Sequence, residues 1–274
     1  MAGRHRSWDD DPETEEDRWR RPFPRVVRTL LLVTVVLAGL SLALPNIAPG
    51  VPVLAAEGSP ARLLFGVSNE TNVPTAFSVA LLVAAGVAHG VVARLVGGRR
   101  GTAFAVVALV LLALAFDDFA GIHERLVVVA DLMGIRDGYA WVVPGLVVAA
   151  GVVAVFVRLV TQLSGAVRRD LLLGIMLFLG AAFGLESLNG LLDRPGTDGA
   201  PLQIGTHVEE VLENVGVILV LRAALGMIVV AERGGAWAVR AAGSQEPAGP
   251  APAGPRAARE AVLVEQTVPI PAVR

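Results

Sequence analysis

The sequence predicts an all-α fold, a six-helix transmembrane bundle with both termini on the cytoplasmic side and a disordered tail at each end. Hydrophobic residues make up 54% of the chain against 18% charged, a balance that belongs to membrane proteins. The apolar residues gather in six runs, each close to the roughly 20 residues needed to cross about 30 Å of hydrocarbon. Arginine clusters beside alternate ends of those runs, as the positive-inside rule requires of cytoplasmic flanks.

Residues 1–24 mix five arginines with Asp9 to Asp11, Glu13, Glu15, Glu16 and Asp17, and hold too little apolar material to bury, so a disordered tail is expected. The first span, about 26–44, is too long for the apolar core of a secretory signal. An insert, 45–73, is rich in Pro and Gly and reads as an irregular extramembrane loop. Further spans are expected at about 74–96, 102–122, 139–160, 171–192 and 208–230, closing a transmembrane domain over 25–233. From Gly234 onward Ala, Gly and Pro dominate, which predicts a second disordered tail over 234–274.

Orientation follows from the arginines, which supply all 23 basic residues. Arg18, Arg20, Arg21, Arg25 and Arg28 precede the first span; Arg94, Arg99 and Arg100 join the second and third; Arg158, Arg168 and Arg169 join the fourth and fifth; Arg222, Arg233 and Arg240 end the sixth. In a six-span chain all of these fall on one side, which sets N-in/C-in topology in the cytoplasmic (inner) membrane. With no cysteine in the chain, disulfide and thiolate chemistry are excluded, and any metal must take Asp, Glu, His or backbone oxygen.

Against this apolar background the acids stand out, since an Asp at mid-bilayer costs about 2.5–3.5 kcal/mol even on the lenient insertion scale. At about 1.5 Å per residue, Asp117 and Asp118 lie roughly 22–24 Å along the third span, in its outer quarter. Glu186 on the fifth span and His207, Glu209, Glu210, Glu213 and Asn214 on the sixth reach the same slab. Asp117 and Glu124 share a stripe of the third helix, flanked by Asp118 and His123, while Asn189 shares one with Glu186. Glu70 and Asn72 approach from above the second span. His89, in the inner half of that span between Gly86 and Gly90, reads as a helix-contact residue.

Carboxylates with imidazole, drawn from facing helices, form the ligand set that bundles use for zinc, iron or manganese. The leading expectation is therefore a divalent-metal site made by Asp117, His123, Glu186, His207, Glu210 and Glu213, with Glu124 or Asp118 as acid or base and Glu70, Asn72, Asn189 and Asn214 as polar support. Such a site suits a membrane-embedded hydrolase or oxidoreductase acting on a lipid or amphiphilic substrate. The same acids would serve a proton- or ion-coupled transporter or sensor, and a third reading is a structural subunit of a membrane complex. The lipid bilayer is the expected partner, and nucleic acid is not one.

These residues also resemble a family of uncharacterised bacterial multi-pass membrane proteins. The likeness rests on Glu70-x-Asn72-x-Pro74-Thr75-x-Phe77-Ser78, Asp117-Asp118-x-x-x-x-His123-Glu124, Gly180-Ala181 leading to Glu186, and Glu209-Glu210-x-x-Glu213-x-x-Gly216. It covers about residues 26–232 and implies that the acids act as a set. A likeness to the seven-helix hydrolases that include alkaline ceramidases is remote, because six spans are expected and the last carries no paired histidines.

Overall fold

The computed structural model describes residues 23–47, 50–56, 58–69, 71–122, 142–163, 165–192, 199–233 and 236–242, with 125, 128 and 132 as isolated positions. Residues 1–22 and 243–274, where the two tails are expected, lie outside the described residues. Phe23–Met227 forms one helical unit. A second unit contains a two-stranded antiparallel hairpin, in which β1 (Ile228–Arg233) pairs with β2 (Ala236–Ala241) from Ile228 opposite Ala241 to Arg233 opposite Ala236. The hairpin corrects two sequence expectations: the sixth span does not continue as helix to residue 230, and the segment after Gly234 opens as a strand.

The helical unit is built from α1 (Pro24–Ile47), α2 (Pro52–Ala55), α3 (Pro60–Phe65), α4 (Val73–Val96), α5 (Gly98–Ala120), α6 (Val142–Val160), α7 (Gly165–Leu179), α8 (Glu186–Leu192) and α9 (Gly199–Gly226). The helices α1, α4 and α5, together with the stretch running through α7 and α8 (residues 165–189), are long and apolar enough to cross a membrane, and α6 adds a shorter apolar helix. The chain is therefore a multi-pass membrane protein. The expected irregular loop between the first two spans instead holds α2 and α3, each opened by a proline in its first turn, where the missing N–H would have no intrahelical partner.

Helix packing makes a closed ring. α9 packs on α4, α4 on α5, α5 on α6, α6 on α7 and α7 back on α9, while α1 docks on α9 from outside. Side chains turned into the ring, among them Leu81, Phe104, Val107, Leu111, Phe156, Leu171 and Ile218, are almost fully buried. Leu32, Val35, Val36, Leu109, Val147 and Met176 point outward and are exposed, the inverse of a water-facing surface and consistent with a lipid surround.

Three local features fix the geometry. The α4–α5 turn needs Gly97 and Gly98, whose φ values of 64° and 54° fall in the left-handed region that side chains disfavour. α7 and α9 cross at Gly174 and Gly216, where a Cβ on either residue would stand 2.7 Å from the other's carbonyl oxygen, so only glycine permits this approach. At one end of the same helix pair, Arg222 Nε donates to buried Asp170 Oδ2 at 2.7 Å and its Nη2 to Oδ1, a bidentate clamp. Arg222 thus holds an acid of its own.

Between α7 and α8 the backbone runs as π-helix through Gly180–Leu185. This breaks the predicted continuous fifth span immediately before Glu186. π segments of this kind mark positions where a helix gives up regular pairing, frequently beside functional groups.

Candidate functional site

The acids meet where the ends of α5, α8 and α9 converge. α9 starts at Gly199, well before the expected 208, with Pro201 in its opening turn. His207 and Glu209 therefore sit inside a formed helix, which fixes the directions their side chains take. Glu209 is buried and faces α8: its carboxyl group lies within hydrogen-bonding reach of Glu186, and Asn189 Nδ2 donates to Glu209 Oε2 at 2.7 Å. One turn further along α9, Glu213 lies within electrostatic range of Glu210, Glu209, Asp118 and Glu186. Five carboxyl groups from three helices thus form one cluster.

The cluster has a polar frame. Asn214 Oδ1 accepts from Ser78 Oγ of α4 at 3.2 Å, and Asn214 Nδ2 donates to the Glu210 carbonyl at 3.0 Å. Asn189 is held in place by the absence of a side chain at Gly205, where a Cβ would stand only 2.0 Å from Asn189 Oδ1. Gly205→Ala is accordingly expected to push Asn189 off Glu209 and to destabilise the protein by about 1–3 kcal/mol, the cost of a buried polar group left unpaired. Unfolding in detergent micelles against Gly199→Ala, at a glycine with open space around it, measures this.

Several residues of the expected metal set are placed differently. His207 turns away from the acids toward α1. Its Nδ1 donates to the Gln203 carbonyl at 2.7 Å, which leaves Nε2 as the acceptor for the Ser41 hydroxyl at 2.9 Å; Ser41 Oγ in turn accepts from the Val67 N–H at 3.1 Å. This relay ties α1 and the segment after α3 to the first turns of α9, and His207 is fully engaged in it. Asn72 is likewise committed elsewhere, as the N-cap of α4: its Oδ1 accepts from the Thr75 N–H at 3.1 Å, and its Nδ2 donates to the Gly66 and Asn69 carbonyls. It builds the entry to α4 rather than supporting the acids.

Asp117 is half-buried in the last turn of α5 beside Asp118, and its carbonyl accepts the N–H groups of Gly121 and Ile122 as that helix ends. Glu70, His123 and Glu124 lie outside the described residues. Among the described residues no group of three or more His, Asp or Glu side chains is arranged to hold a metal ion. His89 is wholly buried, with its Nδ1 donating to the Ala85 carbonyl at 2.8 Å and its ring 5.9 Å from that of Phe104, in keeping with a helix-contact role.

Sequence reasoning missed the Ser41–His207 relay and the Asp170–Arg222 clamp. Asp170 carried a readable signal, as a lone acid entering an apolar span beside two arginines. Ser41 carried none, because a serine in a spanning helix ordinarily bonds its own backbone.

A family model described as a domain of unknown function (DUF8692) matches residues 18–227. No curated protein and no solved structure matches the chain.

Proposed function

We propose that this chain, which belongs to the DUF8692 family, is a proton-linked sensor of the cytoplasmic membrane. In this reading six spans carry both termini inside, α9 serving as the sixth, and the acid cluster opens outward. The orientation is supported by Arg25, Arg28, Arg94, Arg99, Arg100, Arg158, Arg168 and Arg169, which all stand at those helix ends that the alternating path gathers on one side.

The observation that carries the proposal is the approach of Glu186 and Glu209 where α8 meets α9. With Glu209 buried and Glu186 half-buried, two carboxyl groups at hydrogen-bonding reach cannot both be ionised and alone; a proton or a cation must lie with them. A divalent metal, the occupant expected from the sequence, would require several ligand atoms to converge on one centre; no group of three or more among the described residues is so arranged, and His207 is spent on Ser41. A proton needs only the pair. Asn189 donates to the carboxyl oxygen that the proton leaves free.

The π segment supplies the movable element. Gain or loss of the proton changes the attraction between α8 and α9, and the irregular backbone before Glu186 is where such a change can be absorbed. The inner half of the ring is filled by Ala88, Val92, Phe104 and Val107, with His89 buried among them, which favours sensing over passage of a solute.

The chain has no cysteine, so a single environment-sensitive fluorophore can be placed at exposed Leu188 of α8 through Leu188→Cys. In vesicles, a step in external pH is expected to change its emission, and Glu186→Gln or Glu209→Gln to abolish the response. A response that survives both substitutions contradicts the proposal. Proton flux that depends on Glu186 would make the protein a transporter instead.

A further inference from the structure

We propose a second site, independent of the acids: a pocket between α5 and α6 that binds the phosphodiester of an anionic phospholipid. The pocket, about 180 Å³, is lined by Arg99, Thr102, Ala103, Val106, Val155 and Arg158. Arg99 stands in the first turn of α5 and Arg158 in the last turn of α6, so the two guanidinium groups reach one space from antiparallel neighbours at the end of the bundle where α4 turns into α5.

Two cations lining so small a space repel each other. Among the described residues neither is paired with a carboxylate, whereas Arg222 and Arg169 both pair with Asp170. The Thr102 hydroxyl is committed to the Gly98 carbonyl at 3.2 Å. The pocket therefore offers two planar, unopposed guanidinium groups, a set suited to an anion with several acceptor oxygens, such as a phosphodiester.

The walls identify the source of that anion. Ala103, Val106 and Val155 form its apolar side, and this surface continues onto exposed Val106, Val153 and Val157, the outward faces of two helices in a membrane bundle. A molecule that uses both parts has a phosphate head and an acyl chain lying along α6. Basic pockets between spanning helices on the cytoplasmic side bind anionic headgroups in this manner, each arginine contributing by its charge.

The test uses the full chain in micelles, titrated with phosphatidylglycerol, phosphatidylcholine or inorganic phosphate at matched ionic strength and read by native mass spectrometry. One phosphatidylglycerol is expected to stay bound in preference to phosphatidylcholine. Arg99→Gln and Arg158→Gln are each expected to weaken it about fivefold, and Arg168→Gln, an exposed arginine away from the pocket, to leave it unchanged. Equal retention of the two lipids, or equal affinity in the pocket variants and wild type, overturns the proposal. Competition by inorganic phosphate with the same arginine dependence overturns the lipid assignment in favour of a soluble anion. Thermal unfolding of each variant without lipid separates loss of binding from loss of fold.

Discussion

Gly216→Ala is expected to destabilise the protein by about 3 kcal/mol, the upper end of what overpacking costs in a close-packed interior. The added methyl would stand 2.7 Å from both the Gly174 carbonyl oxygen and the Phe178 backbone nitrogen, and 3.0 Å from the Phe178 Cβ. Two of these are backbone atoms of α7, which cannot rotate aside, so the helices must separate. Their separation would also loosen the Asp170–Arg222 clamp and shift α9 relative to the π segment. Gly151→Ala is the matched control. Nothing lies within 4 Å of its would-be Cβ, and helix propensity alone predicts a gain of up to about 1 kcal/mol. Denaturant unfolding of both variants in the same detergent measures the contrast, and equal stabilities would show that α7 and α9 do not cross at these glycines.

Glu209→Gln and Glu209→Ala are expected to differ sharply, although both remove the same acid. Glutamine keeps an oxygen for Asn189 and presents an N–H toward Glu186, reproducing the protonated carboxyl group, so its stability should stay within about 1 kcal/mol of wild type. Alanine leaves the buried Asn189 amide, and the half-buried Glu186 carboxyl group, without their Glu209 partner, at a cost of about 1–3 kcal/mol. A metal ion in the cluster predicts another pattern: both variants lose the ion, both lose stability, and chelation lowers wild type to their level. Unfolding midpoints with and without chelator, together with elemental analysis, separate the two cases. Metal present in fixed proportion in wild type and missing from Glu209→Gln would establish the cation instead of the proton.

What the sequence discloses follows the strength of the constraint behind each feature. Span existence was legible because a bilayer demands long apolar runs; α1, α4 and α5 lie within a few residues of their expected ends. The convergence of Asp118, Glu186 and Glu213 was legible too, since rise per residue and alternating direction are fixed by helix geometry. Boundaries outside the apolar runs were not. α9 begins early because Pro201 and the polar residues after it form a helix without needing lipid, and hydropathy is silent about such a turn. The hairpin was hidden by reading Gly234-Gly235 as the start of a low-complexity tail, when two glycines between Ile228–Arg233 and Ala236–Ala241 are a turn signal.

The ligand roles were the least legible part. Spacing on one helix places His207 and Glu210 on neighbouring faces, yet which neighbouring helix each face meets is decided by the whole ring. Because α1 docks against α9, His207 serves Ser41. Because α8 docks on the opposite side, Glu209, which the spacing marked only as an acid at the mouth of its span, comes to face Glu186. The π segment was unreadable for a similar reason: its Gly and Ala residues are common in membrane helices, where small residues ordinarily signal close packing.

The most direct test of the central claim is infrared difference spectroscopy of the purified protein at neutral pH, with hydrogen–deuterium exchange to identify carboxyl bands. A proton shared by Glu186 and Glu209 predicts a protonated-carboxyl C=O band that shifts on deuteration and disappears in both Glu186→Gln and Glu209→Gln. A wild-type spectrum without that band, or a band unchanged in both variants, would contradict the account.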